Sequence, residues 1–200
     1  MKALRNALAA VLFLPLTGFG AAGMFDQFLI VSTGSSTYYD IGAVTGNPDF
    51  QGSALGTFLN TDTLQLGGQG KSYKNNSTDV TGMLLSYRLY SGAPSGAFQS
   101  LNYAFQSNLV TPGDQQWGTD VAGANGSAFF TPNLLTGLAN GTYTLELYSS
   151  ITTNGVNEAS TVFNNNGGNN YTATFTVIPE PSRVLLIAVG LIGLAFRRRR

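Results

Sequence analysis

The stretch "YTATFTVI", from Tyr171 to Ile178, alternates strictly between larger apolar and small polar side chains. Tyr171, Ala173, Phe175 and Val177 fall on one side, and Thr172, Thr174 and Thr176 on the other. A period of two marks a strand with one buried face, because successive side chains of an extended chain point to opposite sides. The pattern recurs in "TYTLELY", where Tyr143, Leu145 and Leu147 oppose Thr144, Glu146 and Tyr148. It recurs again in "LLSYRLY", where Leu85, Tyr87 and Leu89 oppose Ser86, Arg88 and Tyr90. "FDQFLIV", "SLNYAF" and "SAFFT" are weaker versions. Between Met24 and Ile178 no long stretch carries the 3.6-residue apolar period of a helix. Asn47-Pro48, Asn125-Gly126, Asn140-Gly141, Asn154-Gly155 and "NNNGGNN" from Asn164 supply turns between the runs.

These signals predict an all-β body over residues 23–178. The expected architecture is an antiparallel Greek-key β-sandwich, immunoglobulin-like or jelly-roll-like, of roughly eight to ten strands. "LANGTY", Leu138 to Tyr143, resembles the tyrosine corner of such sandwiches, in which the Tyr hydroxyl bonds a backbone group a few residues upstream. A plain hairpin turn is the alternative.

Composition removes whole classes of chemistry. The chain has no cysteine and no histidine, so disulfides, thiol nucleophiles, Ser-His-Asp triads and the usual zinc sites cannot be built. Between Gly23 and Val177 three cations (Lys71, Lys74, Arg88) face nine carboxylates, a formal charge of −6. Such a surface repels phosphate backbones, so no nucleic-acid partner is expected.

The two ends read differently from the body. Lys2 and Arg5 precede the ten-residue apolar run Ala7 to Leu16, and small residues follow. That order is a secretory signal peptide over residues 1–22, handled by signal peptidase. Cleavage is expected after Ala22, with Gly20 as the second choice. At the other end, Val184 to Phe196 is thirteen uncharged apolar residues followed by Arg197, Arg198, Arg199 and Arg200. As a helix this run is roughly 20 Å long, short of the ~30 Å hydrocarbon core, and flanking arginines can extend its reach by snorkelling. The arginine cluster acts as a membrane stop and keeps the C-terminus cytoplasmic, which leaves the body outside the inner membrane.

"PEPS", Pro179 to Ser182, then the apolar run, then the arginine cluster, together resemble the PEP-CTERM sorting signal of Gram-negative bacteria over residues 179–200. The resemblance implies processing by an exosortase at Pro179, Glu180, Pro181 and Ser182. It implies an inner-membrane-anchored precursor whose domain passes to the cell surface or extracellular matrix, with a link to exopolysaccharide and biofilm. An ordinary C-terminal membrane anchor is the alternative. The prolines lack a backbone donor and restrict their neighbours to extended conformations, which keeps the motif available to a protease groove.

Three kinds of site chemistry remain. Asp114 and Asp120 flank "QQWGT" and could meet as a carboxylate pair of the glycosidase type. Most such residues form turns, and no cofactor fingerprint is visible. Calcium could use "NTDT" (Asn60 to Thr63) or "NGVNE" (Asn154 to Glu158), although the same residues form Asx turns. Sugar rings could pack on Tyr90, Trp117 or Tyr148, although a lone Trp in a sandwich usually belongs to the core. The reading is a non-enzymatic structural or adhesive surface protein, without cofactor. A secreted carbohydrate-binding module is the first alternative and a glycan-active hydrolase the second.

Overall fold

The computed structural model describes residues 21–119 and 130–180. Ten strands follow one another: β1 (Ala22–Ser32), β2 (Ser36–Asp40), β3 (Ala54–Leu59), β4 (Gln65–Lys74), β5 (Val80–Tyr90), β6 (Gln99–Asn108), β7 (Gln115–Gly118), β8 (Gly141–Thr153), β9 (Thr161–Asn164) and β10 (Tyr171–Ile178). The body is all-β, as its alternating runs require. The strictest run behaves most simply: β10 buries Tyr171, Ala173, Phe175 and Val177 and leaves Thr174 and Ile178 exposed.

The strands form one continuous sheet in the order β2-β1-β4-β7-β6-β5-β8-β10-β3, with β9 beside β8. It is a curled, open half-barrel, not the two-sheet Greek-key sandwich expected from the spacing of the runs. The reason lies in β6. Its first half pairs with β5, from Tyr87↔Gln99 to Met83↔Tyr103. Its second half pairs with β7, from Ala104↔Gly118 to Asn108↔Gln115, with a bulge between Phe105 and Ser107. Bulges bend and twist a strand, so β6 turns a corner and joins what would otherwise be two layers. A second correction concerns direction: β3 runs parallel to β10, while the other strand pairs are antiparallel.

The curl wraps one core. Leu29 and Leu66 from one half meet Met83, Leu85, Leu145, Leu147, Ile151 and Phe175 from the other in a single buried cluster. Each such side chain contributes about 1.5–3 kcal/mol when fully buried. Residues 130–140 bridge the halves: Thr131 N–H donates to Leu66 O at 2.9 Å and Leu134 N–H to Leu64 O at 2.8 Å before the chain enters β8. There the Tyr143 hydroxyl donates to Ala139 O at 2.9 Å, the bond expected of a tyrosine corner. Phe130 and Thr131, the last two residues of "SAFFT", enter this bridge outside any strand, and the first three lie outside the described residues.

Residues 1–20 and the apolar run Val184 to Phe196 also lie outside the described residues. Among the described residues no helix is long and apolar enough to cross a membrane. Ala21 and Ala22 are buried. Ala21 O accepts Asn75 N–H at 2.7 Å, and Ala22 pairs with Lys74. Cleavage after Gly20 would leave β1 whole, whereas cleavage after Ala22 would remove its first residue.

Candidate functional site

The outer face of β5, β8 and β10 gathers the most chemistry. The register sets Arg88 opposite Glu146, Ser86 opposite Tyr148 and Tyr90 opposite Thr144. Strand alternation therefore places Arg88, Tyr90, Glu146 and Tyr148 on one surface. Arg88 Nη2 lies 2.8 Å from Glu146 Oε2, with side chains 20% and 7% exposed, and Arg88 Nε donates to the same oxygen at 2.9 Å. Asn170 Nδ2 donates to Glu146 Oε1 at 2.6 Å. A carboxylate buried this far needs its charge and lone pairs answered, and these contacts answer them.

Aromatic rings cover the ion pair. The Arg88 guanidinium sits 4.5 Å from the Phe98 ring centroid and 5.6 Å from that of Tyr90. Phe98 meets Tyr148 edge-on at 5.0 Å, and Tyr148 meets Phe163 edge-on at 5.9 Å. Phe98, Tyr148 and Phe163 thus form a row about two ring contacts long that ends at Phe163, 54% exposed. Burial, then the charge and hydrogen bond of Glu146, hold the Tyr90 hydroxyl above its usual pKa, against the pull of Arg88.

The three aromatic candidates part company here. Tyr148 lies in the row. Tyr90 shares the face but is only 9% exposed, so its ring lies against Arg88 and offers no free surface. Trp117 is 5% exposed, and its Nε1 donates to Ser72 Oγ at 3.0 Å. The expected glycan contact at Trp117 is corrected on that ground: its ring packs inside the curl, edge-on to Phe105 at 5.4 Å. Nothing in the sequence alone marks Phe98 or Phe163. Phe98 reaches the face from the β5–β6 loop, which no periodicity marks, and Phe163 sits on a strand of only four residues.

The other candidates resolve into local structure. Asp114 closes the β6–β7 turn through backbone bonds to Leu109 and Thr111, and Asp120 lies outside the described residues. Asp62 accepts the Leu59 N–H at 2.7 Å. Asn154 Oδ1 accepts Val156 N–H at 3.1 Å, and Glu158 Oε1 accepts Ala159 N–H at 3.0 Å. Both oxygen-rich loops therefore spend these side-chain oxygens on their own backbone.

At the sheet's end, β10 runs straight into the sorting motif. Val177 is buried and Ile178 exposed. Asn60 N–H donates to Ile178 O at 3.1 Å, the last sheet-side tie before the proline pair. Pro179 and Glu180 project exposed beyond it, and Pro181, Ser182 and Arg197 to Arg200 lie outside the described residues. A family profile described as the PEP-CTERM protein-sorting motif matches residues 177–200. No curated protein sequence matches the chain. The chain carries the sorting motif at its C-terminal end, which marks an exported, membrane-anchored precursor handled by an exosortase.

Proposed function

We propose that this exosortase-sorted chain is a non-enzymatic surface or matrix protein of a Gram-negative bacterium, whose outer sheet face contacts extracellular polysaccharide. The row Phe98–Tyr148–Phe163 carries the proposal. Successive ring centroids lie 5.0 and 5.9 Å apart, and the C–H faces of sugar rings pack on aromatic surfaces of this kind. Arg88 and Glu146 lie alongside, and sugar hydroxyls can meet such groups at the rim. The commitment of Glu146 to Arg88 and Asn170 supports a binding role over acid-base catalysis, because both carboxylate oxygens are already engaged within the protein.

The test is co-sedimentation of the processed protein with exopolysaccharide from the producing cells. Tyr148→Ala and Phe163→Ala should each weaken retention about tenfold, the equivalent of ~1.4 kcal/mol. Unchanged retention by both variants would refute the polysaccharide contact. The address is tested separately by the intact mass of the surface form. It should end near Pro179–Pro181, and a mass that still includes Arg197 to Arg200 would mean a retained anchor.

A further inference from the structure

We propose that the open seam between β1 and β9 is a saccharide subsite that lies beside the end of the aromatic row and takes a neutral, hydroxyl-rich sugar residue. This rests on the polysaccharide reading above. The seam is where the curl fails to close. Among the described residues β9 pairs only with β8, and β1 lies beside it. β2 covers β1 only from Phe28 to Ser32, which leaves the stretch before Gln27 without a strand on that side among the described residues. The ladder of β1 with β4 is broken between Phe25 and Phe28, and Asp26 adopts φ 46° there. The result is a groove of about 460 Å³ lined by Phe25, Gln27, Tyr73, Glu158, Phe163 and Asn164, among others. Phe163 borders the groove and also ends the row, its ring beside Tyr148 on the outer face while Asn164 turns inward to Gln27.

The floor of the groove is built and polar. Gln27 is 2% exposed. Its Oε1 accepts from Ser149 Oγ and from Asn164 Nδ2 at 3.0 Å. Asn164 is itself fixed, donating to Ile41 O at 2.8 Å and accepting from the Tyr171 hydroxyl at 2.6 Å. Gln27 Nε2, by contrast, is buried with no hydrogen-bond partner among the described residues. A buried donor left unpaired is costly, and an oxygen of a bound ligand would relieve it.

The charge selects the ligand class. Asp26 is neutralised by Lys71 at 2.8 Å. Glu158, partly buried, has no cationic partner among the described residues. The groove therefore carries an excess of negative charge on a body that is itself acidic. A uronic-acid polymer would be repelled. A neutral sugar can donate hydroxyls to Glu158, accept from Gln27 and lay its C–H face on the ring of Phe25.

The test uses the processed protein labelled with ¹⁵N and two probes of equal length, a neutral glucan oligosaccharide and an oligouronate. The neutral oligomer should shift the Gln27 side-chain amide resonances. It should bind at least tenfold tighter than the oligouronate, and Glu158→Gln should narrow that gap. Phe25→Ala should weaken the neutral oligomer at least fivefold with the circular dichroism spectrum unchanged. Equal binding of both probes, or a Gln27 amide unmoved at saturation, overturns the inference. If Tyr148→Ala weakens binding while Phe25→Ala and Glu158→Gln do nothing, the groove is not a subsite and the row still stands. If Tyr148→Ala and Phe163→Ala are also without effect, or neither probe binds at all, the polysaccharide reading falls with it.

Discussion

The two halves of the sheet solve the same packing problem in different ways. In β5, β8 and β10, large apolar side chains alternate with polar ones, and each strand supplies its own share of the core. In β4 the inward positions Gly68 and Gly70 lack side chains, and Tyr103 and Met83 from elsewhere fill the space, while Gly67 on the other face lies against Phe130. A Cβ on Gly67 would meet Phe130 and Thr119 at 2.5 Å, one on Gly70 would meet Met83 Sδ at 3.0 Å, and one on Gly68 would collide with the Tyr103 hydroxyl. The first half is held by its own pattern, and its outer face is free to carry the ion pair and the row. The second half is held by what its neighbours insert into it.

The largest expected effect breaks the first half. Arg88→Ala leaves the Glu146 carboxylate, 7% exposed, without its cation. Removing one partner of a buried pair costs about 3–5 kcal/mol, and urea unfolding should show that loss. Replacing both residues together with Met and Leu should recover most of it, because no uncompensated charge remains. A loss under about 1 kcal/mol would mean that the pair behaves as an exposed surface bridge.

Next comes the contrast between glycines. Gly68→Ala must displace the buried Tyr103 ring, and overpacking of this kind costs about 1–3 kcal/mol. Gly82→Ala in β5 meets nothing within 4 Å, so it should be neutral or stabilising by up to about 1 kcal/mol. Similar effects for the two would erase the distinction between the halves.

That contrast also explains what was legible in the sequence. β5, β8 and β10 follow from alternation, and the bond from Tyr143 to Ala139 follows from "LANGTY". β4, "QLGGQGKSYK", hides because glycine has no side chain to show which way it points. β2, β3, β7 and β9 are four to six residues long, too short for a period to emerge. The continuous sheet depends on β6 changing partners at a bulge, which no residue in "SLNYAF" announces. The row Phe98–Tyr148–Phe163 joins a loop, a long strand and a short one, so only cross-strand register reveals it. Trp117 reads as a candidate platform until its indole N–H is seen to meet Ser72 inside the curl.

Alkaline pH should strain both halves, and the glycine-rich one most. Complete burial holds the Tyr103 phenol far above its ordinary value of 10.0. Tyr87 and Tyr171 are raised by burial in the other half. Below pH 10 these phenols are protonated in both folded and unfolded chains, so they make no difference to stability. Above it the unfolded chain releases protons that the folded one retains. Each such group then removes stability at about 1.4 kcal/mol per pH unit until its folded pKa is reached. Absorbance at 295 nm should show Tyr103 ionising together with unfolding, and Gly68→Ala should move that transition to lower pH. Ionisation of every tyrosine near pH 10 with the fold intact would contradict the sealed packing at Gly68.

The smallest expected effect on stability is the one that matters most for function. Phe163 is 54% exposed, and its partner Tyr148 keeps Phe98 on its other side. Surface substitutions away from packed features usually change stability by about 0.5 kcal/mol or less, so Phe163→Ala should unfold at nearly the wild-type urea concentration. The same change should weaken polysaccharide retention about tenfold. A residue that holds the fold together loses both quantities at once, while one that serves a surface loses only binding. If Phe163→Ala unfolds as readily as Arg88→Ala, the row is part of the packing of the first half, and the outer face is not a binding surface.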